Sequence, residues 1–381
     1  MTRGVARCTS GFVSENEGMR KSIGIWYLLA AMVVAVIFLI AVVAGADREE
    51  NRYAQLQLSA AKTMAAAEEY MRQMMLEKGI EPEPEDLNKM LLLGPEFTEL
   101  TSTPGSDDAK RTSLNPNFAA AMVRYYNEAG LKKGDVVAVG TSGSFPGLAI
   151  ATIIAASQMG LKTRVIASLG ASMHGATRVE YNIFDIILAL KEGGFADFDL
   201  IGVSRGSAND QGGGVLEGMF YEGSAELSRQ ICADVAARTG AEFIQINSMA
   251  ENIRHRFELF GDDVDLFVNV GGASVNEGTS SVSLTLPAGL AMTFQDIPKG
   301  DTRGLVFEYL ERGIPIINLL NVKQLAADNG ITFDPVPMSK PGDGGVYSKS
   351  QYSIVLIISG IACTLAVLVF GMIMTVRKRS R

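Results

Sequence analysis

Two long uncharged apolar runs, one near each end, constrain this 381-residue chain more than anything between them. Ile23–Ala46 ("IGIWYLLAAMVVAVIFLIAVVAGA") and Gln351–Val376 contain no Asp, Glu, Lys or Arg. A bilayer core is crossed by about 20 apolar residues in helical form, because hydrocarbon offers no hydrogen-bond partner to open backbone. Both runs reach that length and are expected to be transmembrane helices. Residues 1–22 and 377–381 are then short tails, and everything else lies between two membrane anchors.

The tails set the expected orientation. Arg3, Arg7, Arg20 and Lys21 outweigh Glu15 and Glu17 at one end, and Arg377, Lys378, Arg379 and Arg381 close the other. Positive flanks stay in the cytoplasm. The sequence therefore predicts a two-pass cell-membrane protein with both termini cytoplasmic and its main domain extracytoplasmic. A signal peptide cleaved after Ala44-Gly45-Ala46 is the competing reading, but the apolar run exceeds the 7–15 residues usual for such a segment. The tails hold eight of the 34 basic and two of the 42 acidic residues. That leaves 26 and 40 between them, a net charge of about −14. Such a field repels nucleic acid and other polyanions, so any anion must be gripped locally. Among the three cysteines, only Cys232 lies in the middle region, which excludes a disulfide within it. Cys232 falls in a helical pattern with Leu227, Ile231 and Val235 and reads as a packed thiol.

Residues 47–115 read as an amphipathic helix and a polar connector. Tyr53, Leu56, Ala60, Met64, Ala67, Met71 and Met74 recur at helical spacing, and the helix is expected to continue out of the first span. The methionine stripe reads as packing surface rather than a metal site. "EPEPEDLNKM" breaks that helix, and a further one is expected over Asn117–Glu128.

From 116 to 337 the rhythm is strand, loop, helix. Expected strands are Val136–Val139, Arg164–Ser168, Leu200–Val203, Phe243–Ile246, Leu266–Val270 and Pro315–Leu319. Expected helices are Pro146–Met159, Val179–Leu190, Ser224–Thr239, Ser248–Phe260 and Asp301–Arg312. Continuous apolar strands imply a sheet covered on both faces. The fold class is therefore α/β, with a doubly wound, mostly parallel sheet. Residues 338–350 ("MSKPGDGGVYSKS") read as a flexible linker into the second span.

Ligands of such sheets bind beyond the strands' C-terminal ends. Four of those ends run into glycine-rich loops: "GTSGSFPG", "SLGASMHGA", "GVSRGSANDQGGG" and "NVGGASVNEG". One such loop is an ordinary tight turn, whereas four together predict a cleft lined by backbone N–H groups and hydroxyls. The first loop suits a carboxylate or phosphate at a helix N-terminus, with Ser144 as the cap and Pro146 in the first turn. It lacks the Lys-Ser/Thr of a Walker A loop and the spacing of GxGxxG, which argues against a nucleotide. Expected ligand-binding residues are Thr141, Ser142, Gly143, Ser144, Arg205, Gly271, Gly272 and Ser274, with Lys110 and Arg111 folding over from "AKRTSLNPN" or forming a solvated turn.

The third loop contains a literal G-x-S-x-G around Ser204, the pattern of a nucleophile elbow. The polar stretch after it does not open into a helix, and no well-placed histidine follows. His174, at a strand end beside Arg178 and Glu180, is the one histidine placed to act as acid or base. Ser144, His174 and Ser204 are thus the catalytic candidates, with Ser142 a further loop nucleophile. No spacing of His, Cys or carboxylates indicates a metal, and no cofactor is expected.

"TSTPGSDDAKRTSLNPNFAA", "KKGDVVAVGTSGSFPGLAIAT", "SLGASMHGA" and "VNVGGASVNEG" together resemble the poly-gamma-glutamate system protein family, from roughly Glu81 to Pro337. The resemblance implies a membrane accessory of poly-γ-glutamate synthesis, export or attachment, with the polymer or a γ-glutamyl chain end and the synthase or export subunits as partners. It brings no catalytic residues. Three readings stand: an accessory that holds γ-glutamyl carboxylates in the glycine-loop cleft; an extracytoplasmic γ-glutamyl hydrolase or transferase using a loop serine; and a solute-binding or sensory domain.

Overall fold

The computed structural model describes residues 25–45, 47–50, 52–212 and 223–379. The chain divides into two compact units, residues 1–49 with 350–381, and residues 50–349. In the first unit helix α1 (Ile25–Ala44) packs against the C-terminal helix α12 (Ile354–Arg379), and both are long and apolar enough to cross a membrane. Strand β1 (Asp47–Glu50) pairs with β11 (Ser348–Gln351) in a two-stranded sheet.

The second unit begins with α2 (Ala54–Glu77), which starts anew rather than continuing α1. The apolar run of α1 ends in a turn at Gly45, a residue that commonly terminates helices, before the charged stretch that holds β1. On α2 the residues Ala60, Met64, Ala67 and Met71 are buried as the stripe predicts, with Met75 rather than Met74 completing it. The methionines are core. Then come β2 (Thr101–Thr103), α3 (Asp107–Ser113), α4 (Asn117–Glu128), β3 (Val136–Ser142), α5 (Pro146–Gln158), β4 (Lys162–Ser168), β5 (Ala171–Ser172), α6 (Ile183–Glu192) and β6 (Asp199–Ser204). The chain continues through α7 (Ser224–Thr239), β7 (Glu242–Phe243), α8 (Met249–Phe260), β8 (Leu266–Val270), α9 (Ser274–Glu277), β9 (Gly289–Ala291), α10 (Leu305–Glu311), β10 (Ile316–Leu319) and α11 (Val322–Asn329).

Seven strands form one sheet in the order β7-β6-β4-β3-β8-β10-β9. All its pairs are parallel except β9 against β10. Alternate residues of each strand enter different cores. Val137, Val139, Val268 and Ile317 face one core with α2, α4, α5 and α6. Val136, Ala138, Phe267 and Ile316 face another with α8 and α10. Both faces are dry, so strand after strand reads as a continuous apolar run. The mixed α/β class and the mostly parallel sheet match the expectation.

Several boundaries differ for local reasons. Helix α6 starts at Ile183 because Asn182 caps it: its Oδ1 accepts the Phe184 N–H at 3.0 Å, and its own N–H donates to Asp185 Oδ2 at 3.0 Å. Helix α10 starts at Leu305 because Gly304 holds a left-handed φ of 87°. Helix α8 starts after Ser248, whose Oγ accepts the Glu251 N–H at 3.4 Å, half of the expected capping box. The linker expectation for 338–350 is corrected in part. Val346 is buried in the core, its carbonyl accepts from Gln57, and Asn117 binds Lys340, Gly342 and Tyr347.

The chain leaves β3 toward β4, β6 and β7 and later returns to its other side at β8. The crevice of a parallel sheet opens at such a reversal, beyond the strand ends. The first and fourth glycine loops follow β3 and β8.

Candidate functional site

A cavity of about 560 Å³ opens beyond those strand ends. All four glycine loops reach it. Ser142 and Ser144 come from the first loop, Ser168 and Ser172 from the second, Gly206 and Ser207 from the third, and Gly272 and Ser274 from the fourth. Residues 102–106 and α3 complete the wall. Hydroxyls and backbone share the lining with apolar groups, Pro104, Ala109, Phe145, Ala273 and Leu320.

Backbone bonds lace the loops together. Gly143 N–H donates to Gly170 O at 3.1 Å, Ala176 N–H to Gly143 O at 2.7 Å, and Gly170 N–H to Arg205 O at 3.0 Å. The first and fourth loops meet at Gly271, which has a φ of 86°. A Cβ there would lie 2.7 Å from Ser142 Oγ, so only glycine permits the approach. Beneath the fourth loop, Asn276 donates to Asn269 and Asn269 to Asn318, each at 3.0 Å. These buried amides tie α9 to β8 and β10.

The cavity's cation comes from α3. Helix α3 seats on α5 where Gly147 lacks a side chain: a Cβ there would lie 2.2 Å from Ser113 O. That docking buries Lys110 to 1% exposure, with its amine reaching the cavity. Its Nζ donates to the Ser144 carbonyl and lies 2.5 Å from Ser172 Oγ and 3.8 Å from the centre of the Phe145 ring. Burial alone pulls the amine from its ordinary 10.5 to about 7. Among the described residues no carboxylate pairs with it.

Ser172 is held from two sides. β5 lies parallel to β2, with Ser172 opposite Thr103. The Ser172 N–H donates to Ser144 Oγ at 3.1 Å. That bond corrects the expected role of Ser144. The N-cap of α5 is Phe145, with no side-chain cap, and Ser144 faces the second loop instead. Ser142 Oγ accepts the Ser144 N–H at 3.4 Å.

The remaining candidates are placed differently. Ser204 is fully buried. Its hydroxyl donates to Asp210 Oδ1 at 2.7 Å and accepts from Arg256 Nη2 at 2.7 Å. Asp210 and Arg256 form a buried ion pair at 2.5 Å, and Asn252 bonds both. The G-x-S-x-G serine is therefore a structural hydroxyl in a closed network, and Ser168, 2.9 Å from it, carries that network to the cavity wall. His174 is buried at a left-handed φ of 60°, its Nδ1 has no partner among the described residues, and it is not among the cavity-lining residues. Arg111 turns away: Asp334 binds it at 2.7 and 2.8 Å, Asp107 at 2.6 Å and the Glu85 carbonyl at 2.9 Å. Arg205 donates to Gln211 Oε1 at 3.0 Å. Thr141 is buried at the end of β3, with Gly143 beside it in the lacing of the loops.

Glu277 of α9 is pushed up to about 7 by burial, and its Oε1 has no partner among the described residues. Among the described residues no cluster of His, Cys, Asp or Glu fits a metal.

Ser172 and the burial of Lys110 are what sequence reasoning missed. Lys110 Nζ meets a serine 62 residues later, and the chain carries no local signal for that pairing. No protein-family model matches the chain, and no curated protein matches it.

Proposed function

We propose that the protein is a membrane-anchored accessory of poly-γ-glutamate synthesis, export or attachment, and that the cavity holds a short γ-glutamyl segment or chain end. The two terminal spans and their basic tails support an anchor with the α/β unit outside the cytoplasm. The observation that carries the binding reading is the convergence of four hydroxyl-rich loops and one buried amine on a single cavity at the sheet reversal. Lys110, when protonated, supplies the local cation that the acidic surroundings otherwise lack. The volume lies in the range of small-ligand sites, not of a track for a long polyanion.

Titrating full-length protein in detergent with γ-glutamyl oligomers of increasing length tests this. Affinity is expected to plateau after a few residues. It is also expected to fall as pH rises through about 7, because the ammonium that holds the carboxylate is lost. Affinity that climbs steadily with length would overturn the local-site reading.

A further inference from the structure

We infer that Ser172 and Lys110 form a serine–lysine pair that cleaves or transfers an acyl group at this cavity, with the γ-glutamyl amide as substrate. The inference rests on the reading that the cavity takes a γ-glutamyl segment. It adds a reaction, and it gives the reaction to a serine outside the sequence-based candidates.

The geometry is that of a nucleophile beside its base. Nζ of Lys110 lies 2.5 Å from Ser172 Oγ, and Ser172 lines the cavity. As an ammonium, Lys110 donates to both Ser172 Oγ and the Ser144 carbonyl. As a neutral amine it keeps the bond to the carbonyl and turns its lone pair to the Ser172 hydroxyl. The carbonyl thus fixes the amine's orientation. No carboxylate among the described residues holds the proton on Lys110, and burial opposes the charged form. That is how a lysine becomes a base near neutral pH. Ser144 Oγ accepts the Ser172 N–H, which leaves its own O–H to donate into the cavity beside the attacking oxygen.

The step balances without a cofactor. Ser172 Oγ gives its proton to Lys110 Nζ and bonds to the amide carbonyl carbon. The tetrahedral intermediate collapses, the C–N bond breaks, and the leaving amine takes the proton from the Lys110 ammonium. Water, or an acceptor amine, then attacks the Ser172 ester with the Lys110 amine as base and returns the hydroxyl. Other titratable groups nearby are Glu277 on the fourth loop, His174 on the second, and Asp107 and Asp108 on α3. Glu277 also titrates near 7, so the pH midpoint has to be assigned by variant.

The test is a fluorophosphonate probe on the full-length protein in detergent, with the labelled peptide identified by mass. Label is expected on Ser172, rising with pH to a plateau above about 7. Ser172→Ala is expected to abolish it. Lys110→Met is expected to lower it at least a hundredfold and to remove the midpoint, while Glu277→Gln keeps both. Chain shortening of poly-γ-glutamate by the wild type, and its loss in Ser172→Ala, would support the amide as substrate. No label at Ser172 up to pH 9 in a protein that still binds γ-glutamyl oligomers would overturn the inference and leave the binding reading intact. Label at Ser172 with neither binding nor cleavage of the polymer would overturn the γ-glutamyl substrate. A Lys110→Met protein that stays folded and labels like the wild type would remove the lysine from the chemistry.

Discussion

Lys110→Met should make the protein more stable at neutral pH and abolish the stability that the wild type gains as pH rises above 7. The buried amine falls from 10.5 to about 7. At 1.36 kcal/mol per pH unit, that is roughly 5 kcal/mol of differential interaction. The sign follows from proton counts. Between 7 and 10.5 the unfolded chain holds a proton on this amine that the folded chain has released. Wild-type stability therefore rises with pH across that window, and below 7 the full penalty is present. Methionine fills the same space without a charge and removes both the penalty and its pH dependence. It forfeits the bonds to the Ser144 carbonyl and Ser172, about 1–1.5 kcal/mol each. The net expectation is a gain on the order of 2 kcal/mol at pH 6.5. The difference between variant and wild type should fall by roughly 3 kcal/mol by pH 9.5 and so change sign, leaving the wild type the more stable by about 1 kcal/mol.

Cys232 supplies the assay. It is the only cysteine in residues 50–349 and is fully buried, so its labelling reports unfolding of that unit. The single tryptophan, Trp26, sits in α1 and reports elsewhere. Full-length protein in detergent is equilibrated across a urea series at each pH. It is then given a brief thiol pulse at one fixed pH, and the Cys232 peptide is read by mass. Stability follows from the linear dependence on urea. A gap between the two proteins that stays constant from pH 6.5 to 9.5 would show that Lys110 titrates as a solvated amine. The closed seat of α3 on α5 would then be wrong, and with it the local cation and the base.

The network under the third loop and the contact between the first and fourth loops give two further expectations. Arg256→Met strands the Asp210 carboxylate in the interior and should cost about 3–5 kcal/mol, whereas Ser204→Ala should cost about 1–2 kcal/mol. Both are measured by the Cys232 pulse, and γ-glutamyl affinity in Ser204→Ala should stay within about twofold of wild type because the serine is structural. Gly271→Ala combines a left-handed φ with a 2.7 Å approach to Ser142 Oγ, so it should lose about 1–3 kcal/mol and weaken oligomer binding severalfold by calorimetry.

The sheet was legible because its physics is local. Val136–Val139 and Leu266–Val270 are apolar without alternation, and that pattern has few meanings other than a strand covered on both faces. The four loops were legible for the same reason, since each follows such a strand. What stayed hidden depends on distant packing. Helix α3, "DDAKRTS", has no apolar stripe, and it is placed by what Gly147 leaves open on α5. That placement separates Lys110 from Arg111, adjacent in sequence, into a cavity amine and a guanidinium bound by Asp107 and Asp334. The elbow reading of Ser204 failed on partners the motif does not contain: Arg256 lies 52 residues away. β5 is two residues long, below what periodicity can detect.

Eight serines line the cavity, and the structure gives them unequal standing. The Ser102 hydroxyl donates to the Ala171 carbonyl, and Ser106 is bound to Asp108. Ser168 is paired with Ser204, whose single proton goes to Asp210; the Ser168 hydroxyl must then donate to Ser204, which leaves it only lone pairs to offer a ligand. Ser142 and Ser144 accept backbone N–H groups and keep protons to donate. Among the described residues only the Ser172 hydroxyl is hydrogen-bonded to the buried amine, which Ser144 meets through its carbonyl. A cavity rich in hydroxyls is thus sorted by its second contacts into acceptors, donors and one oxygen beside a base. The same amine decides what the cavity favours. Protonated, Lys110 attracts a carboxylate and cannot accept the Ser172 proton. Neutral, it loses its hold on a carboxylate and can. On the proposed readings, holding a chain end and cutting a chain are therefore opposite functions of pH at one residue, and the two trends should cross near 7.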